Sequence, residues 1–227
     1  MVVRRSGITV VGGGGGALGS AVVSRLAAAR RRVVVPTRHP GRSAPVDGVT
    51  EIECDLDDLA SVDRLRSAVE AMGPWDGMVS ASGGYAGGRA HEVDDQAIES
   101  QIAVNLLGPW RLARAAAASM IAAGAGGRIV IVASSAVLNV IRGEAAYQVS
   151  KVAVVRLAQV MAAELQGHGI TVNTVLPTTM DTPSNRASMP KASRASWVRT
   201  DSVAAVIEWL LSDDAAVVTG AAIPATG

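Results

Sequence analysis

The stretch GITVVGGGGGALGSAVV, from Gly7 to Val23, decides the fold. Its five consecutive glycines, Gly12–Gly16, form either a flexible linker or a phosphate-binding turn, and the flanking residues distinguish the two. The β-branched run Ile8–Val11 predicts a buried strand. The segment Ala17–Ala29 places apolar residues along one helical face. A glycine turn between a strand and a helix start, with its free N–H groups and partial positive charge, suits a pyrophosphate.

The same alternation of strand and helix continues along the chain. Further strands are predicted at Arg32–Pro36, Val49–Glu53, Asp76–Ala81, Arg128–Ala133, Ile170–Leu176 and Val217–Ile223. Helices are predicted at Ser61–Met72, Asp94–Ala123, Ala145–Gln166 and Asp201–Leu211. Ser61 is a candidate N-cap for the first of these helices, and Pro109 should kink or break the second. This order predicts one α/β domain over residues 1–227, a doubly wound parallel sheet of about seven strands with ligands at the carboxyl ends.

Composition narrows the classes of partner. The net charge of +1 gives no strong attraction to nucleic acid or anionic lipid, so we expect a small-molecule substrate. The one cysteine, Cys54, excludes an intrachain disulfide and suits a reducing compartment. We find no pattern of a signal peptide or transmembrane helix, which predicts a cytoplasmic protein. The three histidines, His39, His91 and His168, lack metal-ligand spacing, so no metal is expected.

The motif YQVSK holds the first candidate for chemistry. Tyr147 and Lys151 are four residues apart on a predicted helix and therefore share a face. An ammonium group beside a phenol should lower the pKa of the phenol, which would make Tyr147 a usable acid or base near neutral pH. On its own, such a pair is more often a solvated surface pair.

The remaining motifs, taken in order, resemble the short-chain dehydrogenase/reductase family along essentially the whole chain. The glycine turn resembles the family's TGxxxGxG, with Gly12, Gly13, Ala17 and Gly19 on its four defined positions, and LPTTMDT resembles PGxxxT. The resemblance implies Ser134, Tyr147, Lys151 and Asn105 as catalytic residues. It implies a cofactor site formed by Gly13, Gly16, Ala17, Leu18, Gly19, Thr37, Arg38, Asp55, Leu56, Ser82, Gly83, Tyr147, Lys151, Pro177 and Thr182.

Individual roles follow from that resemblance. Asp55 would contact the adenine amine, Thr182 would hold the nicotinamide carboxamide, and Asn105 would support a water relay behind Lys151. Ser135 remains an alternative to Ser134, although the separation of thirteen residues from Tyr147 favours Ser134. The family's members are usually dimers or tetramers, which implies a homo-oligomer.

The residues after the second strand bear on the choice of cofactor. An acidic residue there binds the ribose 2′-hydroxyl of NAD and repels a phosphate. This chain has Thr37 and Arg38 instead, and a guanidinium pairs well with a 2′-phosphate. The sequence therefore predicts NADP(H) in preference to NAD(H).

Within the family, several stretches resemble the dihydropteridine reductase group, above all residues 177–197. The chain departs from that group at Ser134, Asn105 and Thr37–Arg38. Residues 177–200 are expected to form a substrate lid lined by Met189 and Trp197, and Tyr85 either stacks on a ligand or packs. The expected reaction is NADPH-dependent reduction of a small C=O or C=N substrate: a quinonoid pterin, cyclic ketone or quinone. A specialised biosynthetic ketone or imine reductase and a non-catalytic NADP(H) sensor are the alternatives.

Overall fold

The computed structural model describes residues 7–42 and 44–227. A seven-stranded sheet lies at its centre, with the order β3-β2-β1-β4-β5-β6-β7 and parallel pairing throughout. The strands are β1 Ile8–Gly12, β2 Arg32–Thr37, β3 Val49–Glu53, β4 Trp75–Ser80, β5 Gly127–Val132, β6 Ile170–Pro177 and β7 Ala222–Ala225. The predicted single α/β domain with a doubly wound sheet is therefore confirmed.

Helices cover both faces of this sheet. They are α1 Ala17–Ala28, α2 Leu59–Met72, α3 Asp95–Ile102, α4 Gly108–Ala123, α5 Ala145–Leu165, α6 Pro183–Ser188 and α7 Thr200–Leu210. One core cluster packs beneath α2, α4 and α5, and the other beneath α1 and α7. In the part of the chain that the structure describes, no helix combines the length and apolarity needed to cross a membrane.

The strand order places the glycine run at the point where the sheet changes direction. After β3 the chain crosses back over β1, so β1 lies between β2 and β4. Ligands of open α/β sheets bind in the crevice outside the carboxyl ends of the strands at such a point. The turn that follows Gly12 opens into this crevice.

The long helix predicted at 94–123 is divided into three parts. A π-helical turn, Ala103–Leu107, separates α3 from α4, and the Gly108 N–H donates to the Ala103 carbonyl. Pro109 follows immediately, in the first turn of α4, and has no N–H with which to continue the ladder. The break expected at Pro109 is present, in the form of a π turn.

Two local predictions are wrong. Asp58, not Ser61, caps α2: its side chain accepts a hydrogen bond from the Ala60 N–H. The Ser61 hydroxyl is instead buried and accepts from the Asp55 N–H at 3.1 Å. Asp58 is preferred because it sits one turn earlier, where the helix still has free N–H groups.

The last strand also begins later than the predicted 217–223. It runs over Ala222–Ala225, and Val217 is 93% exposed. The Asn173 side chain donates to the Val218 carbonyl at 2.8 Å, which holds the preceding residues in a loop beside β6. The apolar composition of that loop is what suggested a strand.

Candidate active site

A cleft of about 310 Å³ opens at the carboxyl ends of β1 and β2. Seven of the predicted cofactor residues line it: Gly13, Gly16, Thr37, Arg38, Asp55, Leu56 and Ser82. Its other walls are Gly14, Gly15, Pro36, Cys54, Asp57, Ala103, Val104 and Gly108. The cleft therefore lies where the glycine turn predicts a ligand site, and the π turn contributes Ala103 and Val104 to its wall.

The glycines of the turn have distinct structural requirements. Gly13 has a φ of +77°, and a Cβ there would lie 2.5 Å from the Ser82 amide nitrogen. A Cβ on Gly19 would overlap the Gly13 carbonyl, whereas a Cβ on Gly15 would meet nothing within 4 Å. Gly16 caps α1 through its backbone, and no acidic side chain occupies the first turn of this helix. The free N–H groups there suit an anionic group.

Other predicted cofactor residues lie around this turn. Ala17 is the first residue of α1, and the Leu18 side chain is buried in the core. The Thr37 hydroxyl accepts from the His39 N–H at 3.2 Å, and Arg38 is exposed at the cleft with no carboxylate partner among residues 7–42 and 44–227. The Asp55 side chain accepts a hydrogen bond from the Asp57 N–H at 3.0 Å.

Cys54 lines the cleft and is buried. Burial raises the pKa of its thiol, so the reactive thiolate is disfavoured. Among the described residues, no group of three or more His, Cys, Asp or Glu side chains is arranged to hold a metal ion.

The catalytic candidates lie at the end of β5 and on the first turns of α5. Ser134 follows β5, and its side chain lies close enough to the Tyr147 phenol to lower the pKa of that group. Tyr147 and Lys151 lie on α5, and the Lys151 Nζ donates to the Val132 carbonyl at 3.3 Å. Of the two neighbouring serines, Ser134 is the one that reaches Tyr147, while Ser135 begins a short 3₁₀ turn.

The expected effect of Lys151 on Tyr147 is not found. Burial is the main cause that raises the pKa of Tyr147; the nearby Ser134 side chain opposes this and the Glu144 charge adds to it. Burial also lowers the pKa of Lys151 to about 8. Sequence spacing places the two residues on one face but does not show how little water reaches them, and desolvation dominates here.

Asn105 is fully buried within the π turn and joins three segments. Its Oδ1 accepts from the Gly84 N–H at 3.0 Å, and its Nδ2 donates to the Gly84 carbonyl at 3.0 Å and to the Ser150 hydroxyl at 3.1 Å. A Cβ on Gly83 would lie 3.0 Å from Lys151 Nζ and 3.1 Å from Asn105 Oδ1. Gly83 thus lies between these two side chains.

The predicted lid, residues 177–200, contains α6, and contacts between its own residues hold it together. Met180 and Val198 form a β-bridge, and an ion pair with two hydrogen bonds, at 2.6 and 2.7 Å, joins Arg186 to Asp181. Thr182 is buried and caps α6 with its hydroxyl.

The lid also offers a polar atom near the strand ends. Pro177 ends β6, and the Oγ1 atom of the next residue, Thr178, is buried with no hydrogen-bond partner among the described residues. The open glycine turn and this unpaired hydroxyl fit a ligand that carries phosphates and further hydrogen-bonding groups. A nicotinamide dinucleotide has that composition.

Comparison with known proteins agrees with this geometry. Residues 7–193 match the family model described as short chain dehydrogenase. The chain belongs to this family. Its members are oxidoreductases that use a nicotinamide cofactor, so this protein is an NAD(P)-dependent enzyme of that class.

Individual relatives match this chain over most of its length. An uncharacterized NAD-dependent oxidoreductase of Mycobacterium tuberculosis is 35% identical over 191 residues, which covers 76% of this chain and 69% of that protein. The 3-oxoacyl-[acyl-carrier-protein] reductase MabA of the same species is 34% identical over 202 residues, which covers 85% of this chain and 81% of that protein. A short-chain type dehydrogenase/reductase of known structure from Mycobacterium ulcerans superposes with a TM-score of 0.89 at 28% identity, over 97% of this chain and 88% of that one.

These comparisons support the family but do not show the resemblance to the dihydropteridine reductase group. Sequence reasoning also missed several residues of the site. Ala103, Val104 and Gly108 line the cleft because the π turn directs them there, and the break predicted at Pro109 was the available signal. Glu144, one helical turn before Tyr147, was missed as well.

Proposed function

We propose that this protein is an NADPH-dependent reductase of small C=O or C=N substrates, with Tyr147 as the proton donor. The observation that carries the proposal is the position of Ser134 beside the Tyr147 phenol, with Lys151 one turn along the same helix. Lys151 is 4% exposed, and an ammonium kept at so buried a position suits a functional role better than a structural one.

Each residue has a distinct role in the proposed mechanism. A bound nicotinamide supplies the hydride that reduces the carbonyl or imine carbon. Tyr147 transfers its proton to the substrate oxygen or nitrogen as negative charge develops there, and Ser134 donates a hydrogen bond to the same atom. Lys151 holds the nicotinamide ribose, while Asn105 orients the loop at Gly83 behind Lys151.

Thr37 and Arg38 support the choice of NADPH. The 2′-phosphate of NADPH would meet an exposed guanidinium that has no ion-pair partner in the described structure. NADH would find Thr37 and not an acidic residue at the end of β2 for its ribose hydroxyl. Asp55 would contact the adenine, and Thr182 the carboxamide. One observation favours NADH: a relative of 35% identity is named an NAD-dependent oxidoreductase.

Tryptophan fluorescence during titration with NADPH and NADH tests the cofactor assignment. We expect NADPH to bind more tightly, and Arg38→Gln to weaken NADPH about tenfold or more while leaving NADH nearly unchanged. Arg156→Gln, an exposed change on α5 away from the cleft, is the matched control. Equal affinities for the two cofactors in the unchanged protein would contradict the assignment.

Turnover tests the substrate class. NADPH oxidation should be followed with quinonoid dihydropterin, quinones, cyclic ketones and cyclic imines. Turnover of the pterin would favour the group that the lid sequence resembles. Turnover of another carbonyl or imine alone would favour a specialised biosynthetic reductase, and tight binding without any turnover would favour an NADP(H) sensor.

We also propose a cytoplasmic homo-oligomer. Helix α5 presents exposed apolar side chains at Val149, Val152 and Val160, which lie along one stripe of its surface. An apolar stripe of this kind on an enzyme of this class suits burial against a second copy.

A further inference from the structure

Three side chains form a cluster at the start of α5 that the proposed mechanism does not use in full. The Tyr85 hydroxyl lies 3.4 Å from Glu144 Oε1 and donates to it. The Tyr85 ring meets the Tyr147 ring edge to face, with centroids 5.0 Å apart and planes at 67°. Tyr85 therefore bridges the Glu144 carboxylate and the proposed proton donor.

The backbone fixes this cluster in place. The Gly88 N–H donates to the Gly143 carbonyl at 2.6 Å, and the Ala145 N–H donates to the Gly88 carbonyl at 3.3 Å. These bonds fasten the loop after β4 to the first turn of α5 on both sides of Glu144. The carboxylate and Tyr85 are thus held together before any ligand binds.

Glu144 has a feature that packing does not explain. Its Oε2 atom is buried and has no hydrogen-bond partner within the described part of the chain. A buried carboxylate oxygen without a partner is costly, and such an atom in a native structure calls for a functional explanation. A glutamine or an apolar residue would fill the same space without a charge.

The other polar and charged groups nearby do not balance Glu144. Ser134 faces Tyr147 from the end of β5 but is uncharged. The Lys151 Nζ is directed to the Val132 carbonyl, and Arg89, on the loop after β4, pairs with Glu92. Arg142 precedes Glu144 and is exposed. Burial is the main cause that raises the pKa of Tyr85 and of Tyr147, and the Glu144 charge adds to it in both cases.

We propose that Glu144 is a positioning residue for the catalytic proton: its carboxylate holds the Tyr85 ring against the Tyr147 ring and places a negative charge near the proposed proton donor. This inference rests on the proposed role of Tyr147. A nearby negative charge disfavours the phenolate, so Tyr147 keeps its proton to higher pH and the form that can donate a proton is present over a wider pH range. Glu144 thereby moves the high-pH limit of reductase activity upward.

The composition of the chain allows a direct test, because Tyr85 and Tyr147 are its only tyrosines. Protein labelled with ¹³C at the tyrosine ring carbon that bears the hydroxyl gives one NMR signal for each, and both can be titrated without cofactor or substrate. The variant Tyr85→Phe assigns the signal of Tyr147. We expect Glu144→Gln to lower both titration midpoints by at least about half a pH unit.

Two further variants separate charge from shape. Glu164→Gln removes an exposed carboxylate near the other end of α5 and should leave both midpoints unchanged. Glu144→Asp keeps the charge but shortens the side chain, so the Tyr147 midpoint should stay closer to the native value than in Glu144→Gln. An unchanged Tyr147 midpoint in Glu144→Gln, or an equal shift in the Glu164 control, would overturn the proposal.

A kinetic measurement distinguishes this inference from the proposed function itself. Reductase activity should fall at high pH, where Tyr147 loses its proton. In Glu144→Gln this fall should begin at a lower pH than in the native protein, by the same shift as the NMR titration midpoint of Tyr147. A residue with only a structural role would change the rate without moving that pH limb. If Tyr147→Phe still turns over substrate, the proposed function is refuted. If Tyr147→Phe is inactive but the high-pH limb of Glu144→Gln stays where it is in the native protein, only the role of Glu144 is refuted.

Discussion

Lys151 carries an ammonium group where water hardly reaches it. Burial lowers its pKa from the ordinary value of 10.5 to about 8, and its Nζ has one long hydrogen bond, to the Val132 carbonyl at 3.3 Å. Below pH 8 the folded protein must hold the charge at this buried position, while the unfolded chain holds it in water. Lys151 therefore lowers the free energy of unfolding at neutral pH.

The sign of this effect gives a prediction. Between pH 8 and 10.5 the unfolded state binds more protons at Lys151, so stability should rise with pH as the penalty disappears. In cofactor-free protein at pH 7, Lys151→Met should raise the free energy of unfolding by about 2 to 3 kcal/mol, and this gain should shrink toward pH 10. Urea denaturation at both pH values measures it, with the exposed Lys191→Met as control. A gain that does not depend on pH would contradict this explanation.

At the scale of the element, the glycine turn is the part that the sequence predicted most completely. A buried strand, a glycine run and an amphipathic helix suffice to place a phosphate-binding turn, because each is a local pattern. The π turn at Ala103–Leu107 and the cap at Asp58 were less predictable. Both depend on which hydrogen-bond donors and acceptors the fold brings next to them, and hydrophobic periodicity carries no information about those groups.

The turn also supports a test with a matched control from the same glycine run. Gly13→Ala would force a Cβ to within 2.5 Å of the Ser82 nitrogen at a positive φ, whereas Gly15→Ala adds a methyl group to open space. We expect Gly13→Ala to lower the free energy of unfolding by about 1 to 3 kcal/mol and to weaken NADPH binding. Gly15→Ala should stay within about 0.5 kcal/mol of the native value. Thermal unfolding of both variants checks this, and equal effects would be evidence against the geometry of the turn.

For the whole molecule, alternation of strands and helices was enough to predict the parallel sheet. The motif order supplied Ser134, Tyr147 and Lys151 as catalytic candidates. The pKa shifts of Tyr147 and Lys151 were not predictable, because burial arises only when distant segments pack together. The same holds for the Tyr85–Glu144 contact, which joins residues 59 positions apart. Local sequence patterns carry the least information about the identity of the substrate.

The proposed assembly gives a prediction at this scale. Val152 is 50% exposed on the apolar stripe of α5, and Val217 is 93% exposed in the loop before β7. If α5 packs against a second copy, Val152→Asp should split the oligomer, because it would bury an unpaired charge, while Val217→Asp should not. Sedimentation velocity of the two variants distinguishes them. A monomeric native protein, or an oligomer unaffected by Val152→Asp, would contradict the proposed interface.

The measurement that tests the central claim most directly compares the native protein with Tyr147→Phe, which removes only the phenolic oxygen. NADPH affinity is measured by tryptophan fluorescence, and single-turnover NADPH oxidation is followed with the best substrate from the carbonyl and imine panel. We predict that Tyr147→Phe binds NADPH nearly as tightly as the native protein but oxidises it about a hundredfold or more slowly. Turnover at the native rate in Tyr147→Phe would contradict the account, because Tyr147 would then not be the proton donor.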